Sequence, residues 1–442
     1  AQLPSHLPVL TTVRTLGWGS RPMDLLHLRS IGLPIAGAET VSPAAAAAAR
    51  KPVGESAPTV ASSAASAPAT SSVADVAATA VGHGKELPSE LSARILTSDV
   101  RILIFLLRYV ESVGLGSVPV FINGGYVRDL LLGKEPDDLD LSVCLRNCPE
   151  DVTVAGLLER LPAYAAENPD LGVVEVKLAT ILSNESKDKQ LDTFKAHFTD
   201  DAGKKTEVDV MPTIGEETYG EDNRIPIRDQ RGTAEEDALR RDLTIGALLL
   251  RVALGDGGGL RYELFDFYGG VEDIRLGILR SPYPATKSVA EVRAAVLRTP
   301  AEEQLASALG LDSASPQELL QVLWWAKVLM DDPCRICRAL RFEAKLRFKL
   351  HGAFWLAAPF ALEALRSKIA GGRKNTEYQK LAGYGFQKCR DFFEVAFGHA
   401  IGPKKDICLA PALFGGQDEK GRPKLISDVE SFDLEAFRAA AS

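Results

Sequence analysis

The stretch from Phe121 to Val143, FINGGYVRDLLLGKEPDDLDLSV, constrains the fold more than any other part of this chain. Apolar residues 119–122 predict a short strand, which the pair Gly124-Gly125 interrupts. Residues 126–132 have the amphipathic spacing of a helix, and the next glycine ends it. The order of strand, glycine turn and helix places a helix N-terminus directly beside the turn.

Two aspartates follow this helix after a Lys-Glu-Pro turn. Asp138 and Asp140 fall on a predicted second strand, where residues two apart point to the same face. Convergent carboxylates bind a divalent metal such as Mg2+, and the backbone N–H groups at a helix N-terminus bind a phosphate. A surface strand with solvated aspartates is the plainer alternative. The combination of glycine turn, helix and paired aspartates, in this order, favours the metal and phosphate site.

The segment GGYVRDLLLGKEPDDLDL resembles the signature of class II tRNA nucleotidyltransferases (CCA-adding enzymes) and of the related bacterial poly(A) polymerases. The resemblance covers about residues 118–350 and includes four motifs in the family order. It implies an α+β fold in which a nucleotidyltransferase (polymerase β-like) head with a mixed β-sheet and helices precedes an all-helical C-terminal region.

The resemblance also assigns roles to residues of the head. The strand Glu207-Val-Asp-Val resembles the one that supplies a third active-site carboxylate, here Asp209. A third carboxylate on a neighbouring strand completes an oxygen-rich site for Mg2+. The implied catalytic residues are Asp138, Asp140 and Asp209, of which Asp138 and Asp140 would be metal ligands for two Mg2+ ions. The residues that would cradle the triphosphate are Gly124, Gly125 and Arg128.

Residues 235–249, EEDALRRDLTIGALL, resemble a further family motif and are predicted to form a helix. Arg240 and Arg241 would supply positive charge to a triphosphate, and Asp242 would bind a ribose hydroxyl or an arginine. A solvent-exposed face of paired charges is the alternative for these residues.

Residues 331–342, DDPCRICRALRF, resemble the motif with which this family selects its nucleotide. Asp332 and Arg335 are three residues apart, so on a helix they would share a face and offer an acceptor and a donor to CTP or ATP. Arg338 on the same segment is included among the nucleotide-binding residues. An ion pair within the helix is the alternative.

The chain departs from the family pattern in several places. Ile214 stands where the family has an arginine, and Gly246 stands where it has an asparagine. Residues 285–328 form an insertion before the nucleotide-selecting motif, and its Trp324 and Trp325 are more typical of a core than of a base-stacking surface. The C-terminal region is shorter than the helical neck and body with which the family holds tRNA.

Composition limits the other possibilities. The chain of 442 residues carries a formal net charge of −8, so contacts with RNA must come from local basic patches. It has no apolar run of the roughly 20 residues that a membrane helix needs. Residues 1–92, rich in alanine, serine and proline, resemble an organellar transit region, mitochondrial or plastid, followed by a linker.

These features predict four regions: an arm at 1–92, the nucleotidyltransferase head at 93–284, the insertion at 285–328 and a shortened helical neck and body at 329–442. The leading hypothesis is template-independent addition of CMP and AMP, from CTP and ATP, to the 3′ end of tRNA or another RNA. One alternative is a catalytically retired head that serves as a structural subunit of a large organellar assembly such as the mitochondrial ribosome. A poly(A) polymerase is a second alternative.

Overall fold

The computed structural model describes residues 84–181, 193–215, 218–219, 226–227, 231–369, 371–398, 400–401, 407–409 and 412–413. Residues 1–83, most of the predicted N-terminal arm, lie outside this part of the chain. The last residues of that predicted arm, from 84 to 92, are part of the folded head, because a strand within them pairs with the central sheet. The head therefore begins earlier in the chain than residue 93.

The head is built on one mixed sheet of eight strands in the order β1-β10-β9-β2-β3-β6-β5-β4. A separate pair, β7 and β8, lies in the segment that precedes the EEDALRRD motif. The strands of the head are β1 Lys85–Glu86, β2 Val120–Ile122, β3 Leu139–Val143, β4 Val173–Ile181, β5 Thr193–Asp200, β6 Lys205–Pro212, β7 Thr218–Tyr219, β8 Pro226–Ile227, β9 Leu249–Leu254 and β10 Leu260–Phe265.

Strand pairing sets the position of the site. Within the eight-stranded sheet, β3 and β6 are the parallel pair, whereas the other neighbours run antiparallel. The glycine turn that follows β2 leads into a helix, so the turn lies beside the start of β3. The helices of the head are α1 Ser89–Ser92, α2 Thr97–Ser112, α3 Gly124–Leu131, α4 Val154–Glu159, α5 Leu161–Glu167, α6 Ala234–Leu239 and α7 Gly270–Leu276.

The two faces of β2 bury different clusters, as the alternation of strand side chains requires. Val120 and Ile122 belong to the main core, which also contains the buried face of α2. Phe121 points to the other face and packs in a small cluster with Ala238 of α6 and Leu249 of β9. The site described below lies on this second face.

The motif at 235–249 differs from its prediction as a single helix. Only α6 is helical, and its N-cap Thr233 forms a capping box with Glu236. A turn and a short 3-10 helix, Thr244–Gly246, then lead directly into β9. The apolar residues at the end of the motif, up to Leu249, belong to the core or begin a buried strand. A short apolar run fits a buried strand and a buried helix equally well, so the sequence alone does not decide between them.

The insertion is a set of helices with clear start signals. Three of its helices begin at capping boxes, formed by Ser288, Thr299 and Ser315 with glutamates three residues later. Trp324 and Trp325 are buried, and the ring of Trp325 packs edge-on against Phe354 at 5.4 Å. The expectation that these tryptophans are core residues is confirmed.

The region after the head is mostly helical, but it also contains short strands. β11 at the end of the head pairs in parallel with β12, which follows the DDPCRICRALRF segment, and so joins the two regions. The described elements are β11 Ile278–Leu279, α8 Val289–Val296, α9 Pro300–Ala308, α10 Pro316–Asp331, α11 Cys334–Leu346, β12 Lys349–Leu350, α12 Gly352–Ala357, α13 Leu362–Ser367, α14 Gly371–Ala382, α15 Phe386–Gly398, β13 Ala400–Ile401 and β14 Ile407–Cys408. A membrane-spanning helix is not found in the described part of the chain.

Candidate active site

Two of the three predicted carboxylates lie side by side in the sheet. Asp140 on β3 is the register partner of Asp209 on the parallel strand β6. Asp140 is flanked by Leu139 and Leu141, which are both buried in the main core. Because neighbouring strand residues point to opposite faces, the two aspartates project from the second face of the sheet. The sequence motifs placed Asp140 and Asp209 on neighbouring strands, and the observed register brings them side by side.

Asp138 is placed differently from its prediction. β3 begins at Leu139, so Asp138 lies in the extended residues before the strand and is exposed to solvent. It is nevertheless close enough to Asp140 for its charge to act on that carboxyl group. We refer to Asp138, Asp140 and Asp209 together as the carboxylate edge.

The carboxylate edge concentrates negative charge. Burial, followed by the charges of Asp209 and Asp138, raises the pKa of Asp140 to about 6. Lys195 on β5 lies beside Asp209, with its Nζ 3.2 Å from Oδ1. That contact lacks the geometry of a hydrogen bond, and the buried Oδ1 atom has no other partner in the described residues.

The donor set fits a divalent cation. Aspartate oxygens are the ligands that Mg2+ prefers, and both the raised pKa of Asp140 and the unsatisfied oxygen of Asp209 are relieved by a cation. In the described chain, no three acidic, histidine or cysteine side chains already converge as a preformed metal cage. The described part of the carboxylate edge thus offers the two neighbouring carboxylates of Asp140 and Asp209.

The glycine turn is a close approach between two backbones. A Cβ atom at Gly124 would lie 2.1 Å from the carbonyl oxygen of Gly246, so only glycine fits there. Gly125 is exposed, and a Cβ atom there would meet nothing within 4 Å. The preceding Asn123 is buried, donates its backbone N–H to the carbonyl of Asp140 and accepts a hydrogen bond from Ser142. The turn is therefore fixed to the carboxylate edge.

Arg128 has a buried position in α3. Its guanidinium donates two hydrogen bonds to Asp129, at 2.9 and 2.7 Å, and lies 5.2 Å from the ring centroid of Phe342 on α11. The contact with Phe342 connects the head to the helical region. The predicted role of Arg128 in cradling a triphosphate stays a prediction, because its described partners are protein groups.

The two arginines after α6 are organised by one buried aspartate. Asp237 is fully buried and accepts from Arg240 at 2.8 Å and from Arg241 at 2.6 Å. Burial opposes its ionisation, but the two guanidinium groups outweigh this effect and hold the pKa of Asp237 at about 2. Its Oδ1 atom also accepts the backbone N–H of Ile214, at 3.2 Å. Sequence reasoning named both arginines but not Asp237, although it lies in the same motif.

The predicted nucleotide-binding residues from the two distant motifs meet in one pocket of about 360 Å3, which we call the arginine pocket. Arg240, Arg241 and Asp242 of the head face Asp332, Arg335 and Arg338 of the helical region across it. Four further lining residues were not among the predicted site residues: Cys334, Arg373, Thr376 and Glu377. Of these, Arg373 stands next to Lys374 in the sequence, and the two form a small basic patch.

Ion pairs cross the arginine pocket. Arg338 donates to Asp242 at 2.7 Å, which joins α11 to the head and confirms an arginine as the partner of Asp242. Burial opposes ionisation of Asp242, but Arg338 outweighs it and holds the pKa of Asp242 at about 2. Asp332 lies between α10 and α11 rather than within one helix, and it accepts from Arg373 at 2.8 Å.

The carboxylate edge and the arginine pocket are adjacent. Arg241 lines the pocket, and its positive charge acts on the carboxyl group of Asp140. A larger groove of about 670 Å3 adjoins the pocket and shares Arg240 and Arg335 with it. The insertion lines that groove with Lys287, Trp324 and other residues, so it is part of the surroundings of the site.

Comparison with known proteins identifies the class of fold. Residues 120–280 match the family described as the Poly A polymerase head domain. Residues 120–280, which contain most of the sheet, therefore have the fold of a nucleotidyltransferase head domain, and the chain resembles the CCA-adding enzymes and poly(A) polymerases, as the sequence motifs indicated.

Several proteins similar to this chain are named as CCA-adding enzymes. The mitochondrial CCA tRNA nucleotidyltransferase of Candida glabrata is 29% identical over 265 residues, which are 59% of this chain and 38% of that protein. The Saccharomyces cerevisiae protein of the same name is 28% identical over 263 residues, 59% of this chain and 37% of its own. The chain thus spans less than half the length of these curated relatives. Among solved structures, a Thermotoga maritima CCA-adding enzyme complexed with tRNA aligns with a TM-score of 0.46 at 18% identity, covering 81% of this chain and 73% of that one.

Proposed function

We propose that this protein is a tRNA 3′-end nucleotidyltransferase that adds CMP and AMP from CTP and ATP without a nucleic-acid template. The observation that carries the proposal is the meeting of the carboxylate edge with the arginine pocket, through Arg241. The carboxylate edge suits a metal and a reacting hydroxyl, and the arginine pocket suits the triphosphate and the base of a nucleotide. The yeast relatives named CCA tRNA nucleotidyltransferase support the same reaction.

The carboxylate edge would hold the metal and the reacting groups. Asp140 and Asp209, with Asp138 beside them, would bind Mg2+, which lowers the pKa of the RNA 3′-hydroxyl and stabilises the pyrophosphate leaving group when bound. The 3′-oxygen attacks the α-phosphorus, and the bond from that phosphorus to the pyrophosphate oxygen breaks. Asp209 Oδ1, which has no hydrogen-bond partner in the described residues, is suited to orient the hydroxyl or a ligand to the metal.

The arginine pocket would bind the nucleotide. Arg240 and Arg241 share one buried carboxylate, so together with Asp237 they retain a net positive charge that can meet phosphate oxygens. The glycine turn at Gly124 and Gly125 would let the backbone approach the triphosphate. On the opposite wall, Asp332 and Arg335 offer an acceptor and a donor to the edge of cytosine or adenine.

The proposal includes a mitochondrial location, because the two yeast relatives are named as mitochondrial and residues 1–92 have the composition of an organellar transit region. Fluorescent tagging of the full chain and co-staining of mitochondria test this. Labelling of a plastid would contradict it.

Incorporation of labelled CTP and ATP into a tRNA lacking its 3′ CCA end tests the activity. Purified full chain with Mg2+ is compared with the Asp138→Ala/Asp140→Ala double variant, and addition of both CMP and AMP that the variant lacks is expected. Long tails made from ATP alone would instead favour a poly(A) polymerase. No incorporation by folded protein would favour the structural role in an organellar assembly, for which the described residues give no specific support.

A further inference from the structure

Helix α11 begins with a pair of cysteines that the proposed reaction does not use. Cys334 is the first residue of the helix, and Cys337 follows three residues later on the same face. Both side chains are buried, at 3% and 0% exposure. Cys334 also lines the arginine pocket, so a small molecule that enters the pocket reaches one thiol of the pair.

The backbone at the start of α11 brings the two thiols together. The N–H groups of Arg335 and Ile336 each donate to the carbonyl group three residues earlier, at 2.9 and 3.1 Å, as in a 3-10 helix. Side chains three residues apart are eclipsed in a 3-10 turn and lie closer than in a regular α-helix. A disulfide needs Cβ atoms about 4 Å apart, and this turn favours such an approach of Cys334 and Cys337.

The surroundings of the two thiols are polar on the side of α14. The Cys334 thiol donates to the backbone carbonyl oxygen of Arg373 at 3.8 Å, and Sγ of Cys337 lies 3.9 Å from the hydroxyl oxygen of Tyr378. Lys374 is 2% exposed. Burial lowers the pKa of Lys374, and the charges of Cys337 and Cys334 act on it in the opposite direction. A buried cation beside a thiol favours the reactive thiolate form.

The two thiols differ in acidity. Hydrogen bonding with Cys337 lowers the pKa of Cys334 and outweighs the opposing effect of burial. Hydrogen bonding with Cys334, followed by burial, raises the pKa of Cys337 well above its ordinary value. The thiol that faces the pocket is therefore the one that ionises first and attacks an oxidant, and the thiol beneath it is placed to react second.

A metal is the other ligand that two cysteines at this spacing bind. A structural zinc site needs about four protein ligands. In the part of the chain that the structure describes, no group of three cysteine, histidine or acidic side chains is arranged to hold a metal ion. The described surroundings of Cys334 and Cys337 thus favour thiol chemistry.

We propose that Cys334 and Cys337 form a reversible disulfide when a peroxide enters the arginine pocket, and that this oxidation weakens nucleotide binding there. The effect on the nucleotide rests on the proposed function. The existence of the redox pair does not depend on it.

The oxidation takes two steps. The Cys334 thiolate attacks one oxygen of the peroxide, the O–O bond breaks, and a sulfenic acid and hydroxide form. Sγ of Cys337 then attacks the sulfur of Cys334, so that the S–S bond forms and the S–O bond breaks. The proton of Cys337 leaves with the released hydroxide as water, and the first hydroxide takes up the proton that Cys334 had lost. Two electrons pass from the two thiols to the peroxide, which is reduced to two waters.

The disulfide acts on the pocket through the backbone of Cys334. The N–H group of Cys334 donates to Oδ1 of Asp332 at 3.2 Å, and Arg335 is the next residue in the chain. Both Asp332 and Arg335 line the pocket. A bond that pulls Cys334 towards Cys337 therefore moves the groups proposed to meet the edge of the base, and a small misplacement of such groups weakens recognition.

The experiment treats the reduced full chain with hydrogen peroxide. Free thiols are then alkylated, the peptides are mapped by mass spectrometry, and CTP binding is measured by calorimetry. We expect a disulfide between Cys334 and Cys337 and a Kd for CTP raised about tenfold, which dithiothreitol reverses. The melting temperature should change little, because the loop that the bond closes is short. CTP present during the treatment should slow the oxidation, because it covers Cys334.

Three variants separate this pair from the other cysteines. Cys337→Ala leaves the sulfenic acid of Cys334 without a second thiol, so it should oxidise further and dithiothreitol should no longer restore CTP binding. Cys334→Ala should retain its CTP affinity after treatment with peroxide. The matched control is Cys148→Ala, which removes a free cysteine of the head and should respond like the wild-type protein.

Free thiols at Cys334 and Cys337 in the treated wild-type protein would overturn the inference. A disulfide with unchanged CTP affinity, or a loss of affinity that Cys334→Ala also shows, would overturn the effect on the pocket. If the reduced protein binds neither CTP nor ATP, the proposed function fails, and the effect on the nucleotide fails with it. The peptide map of the wild-type protein then supports or overturns the redox pair by itself.

Discussion

The carboxylate edge and the arginine pocket are adjacent, but the edge places like charges side by side, whereas the pocket pairs opposite charges. At the edge, Asp140 and Asp209 are placed side by side, and the pKa of Asp140 is raised to about 6. In the pocket, Asp237 and Asp242 are matched to arginines, and their pKa values are held at about 2. Lys195 and Arg241 offset the like charges of the edge in part, because the pKa of Asp140 stays raised, whereas the aspartates of the pocket are fully matched by arginines. Stability alone therefore explains the pocket pairs but not the edge.

The largest expected effect is the loss of activity at the edge. On the proposed function, Asp140→Asn should lower incorporation of CMP and AMP at least about a thousandfold, or about 4 kcal/mol, because a proposed ligand to Mg2+ is lost. In buffer with a chelator, the same variant should unfold at a higher temperature than the wild-type protein, since a like-charge contact is relieved. Incorporation assays and thermal unfolding measure the two quantities.

The exposed neighbour Asp137 provides the control for that variant. Asp137→Asn removes the same charge one residue before Asp138 and should leave activity within about twofold. The Asp140→Asn protein could instead be inactive and also less stable than the wild-type protein in the chelator. That result would contradict the contrast between the two regions, because the edge would then stabilise the fold as the pocket does.

The second effect is a loss of stability in the pocket. Asp237→Asn should lower the free energy of unfolding by about 3 kcal/mol, because it leaves Arg240 and Arg241 without their buried carboxylate. Urea unfolding measures this, with Glu235→Gln, an exposed change two residues earlier in α6, as the control. A loss below about 1 kcal/mol for Asp237→Asn would show that the arginines find other partners.

The third prediction concerns pH in the absence of divalent metal. The folded-state pKa of Asp140, about 6, exceeds its ordinary value of 3.8, so the folded protein binds the proton more tightly. The stability contributed by this group is present below about pH 4 and is lost as the pH rises through 6, by up to about 3 kcal/mol. The pairs of Asp237 and Asp242 behave oppositely: their contribution is present above about pH 4 and lost as the pH falls towards 2.

Wild-type and Asp140→Asn proteins should therefore differ little in unfolding free energy at pH 4 and most above pH 6. Urea unfolding across this range, with a chelator present, measures the difference. A difference that does not vary with pH would mean that Asp140 titrates normally in the folded protein.

Only part of the carboxylate edge is local in the sequence. Asp138, Asp140 and the glycine turn lie within one short stretch, where strand alternation predicts the direction of the side chains, whereas Asp209 on β6 was assigned by family resemblance. Asp138 was misplaced only because β3 begins one residue later. The pocket depends on Arg373 and Glu377 of α14, more than 130 residues from Arg240. Nothing in the local pattern of α14 distinguishes a pocket wall from a solvated basic helix.

The motif at 235–249 shows a second limit of prediction from the sequence, which concerns the boundaries of helices and strands. Family resemblance named the charged residues Arg240, Arg241 and Asp242, and all three line the arginine pocket. The same resemblance predicted one helix over the whole motif, but the apolar end of the motif fits a buried strand equally well. The boundaries of the elements thus depend on packing against the sheet.

The smallest expected effect lies at Gly246, where the two regions meet. Its backbone is in contact with Gly124 of the turn, yet a Cβ atom added to Gly246 itself would meet only Oδ1 of Asp242, at 4.0 Å. Gly246 is the last residue of a short 3-10 helix and does not lie within an α-helix, so a side chain there should be tolerated. Gly246→Ala should raise the free energy of unfolding by about 0.5 kcal/mol through the lower entropy of the unfolded chain.

Gly246→Asn adds an amide that can reach Asp242, the pocket residue paired with Arg338. We expect its stability to match that of Gly246→Ala and its incorporation rate to change no more than about threefold. If Asn but not Ala raises the rate strongly, the amide couples the turn to the pocket, and the glycine found here weakens that coupling. If both variants are strongly destabilised, the contact with Gly124 is tighter than a side chain at 246 allows, and the two regions share one rigid backbone junction.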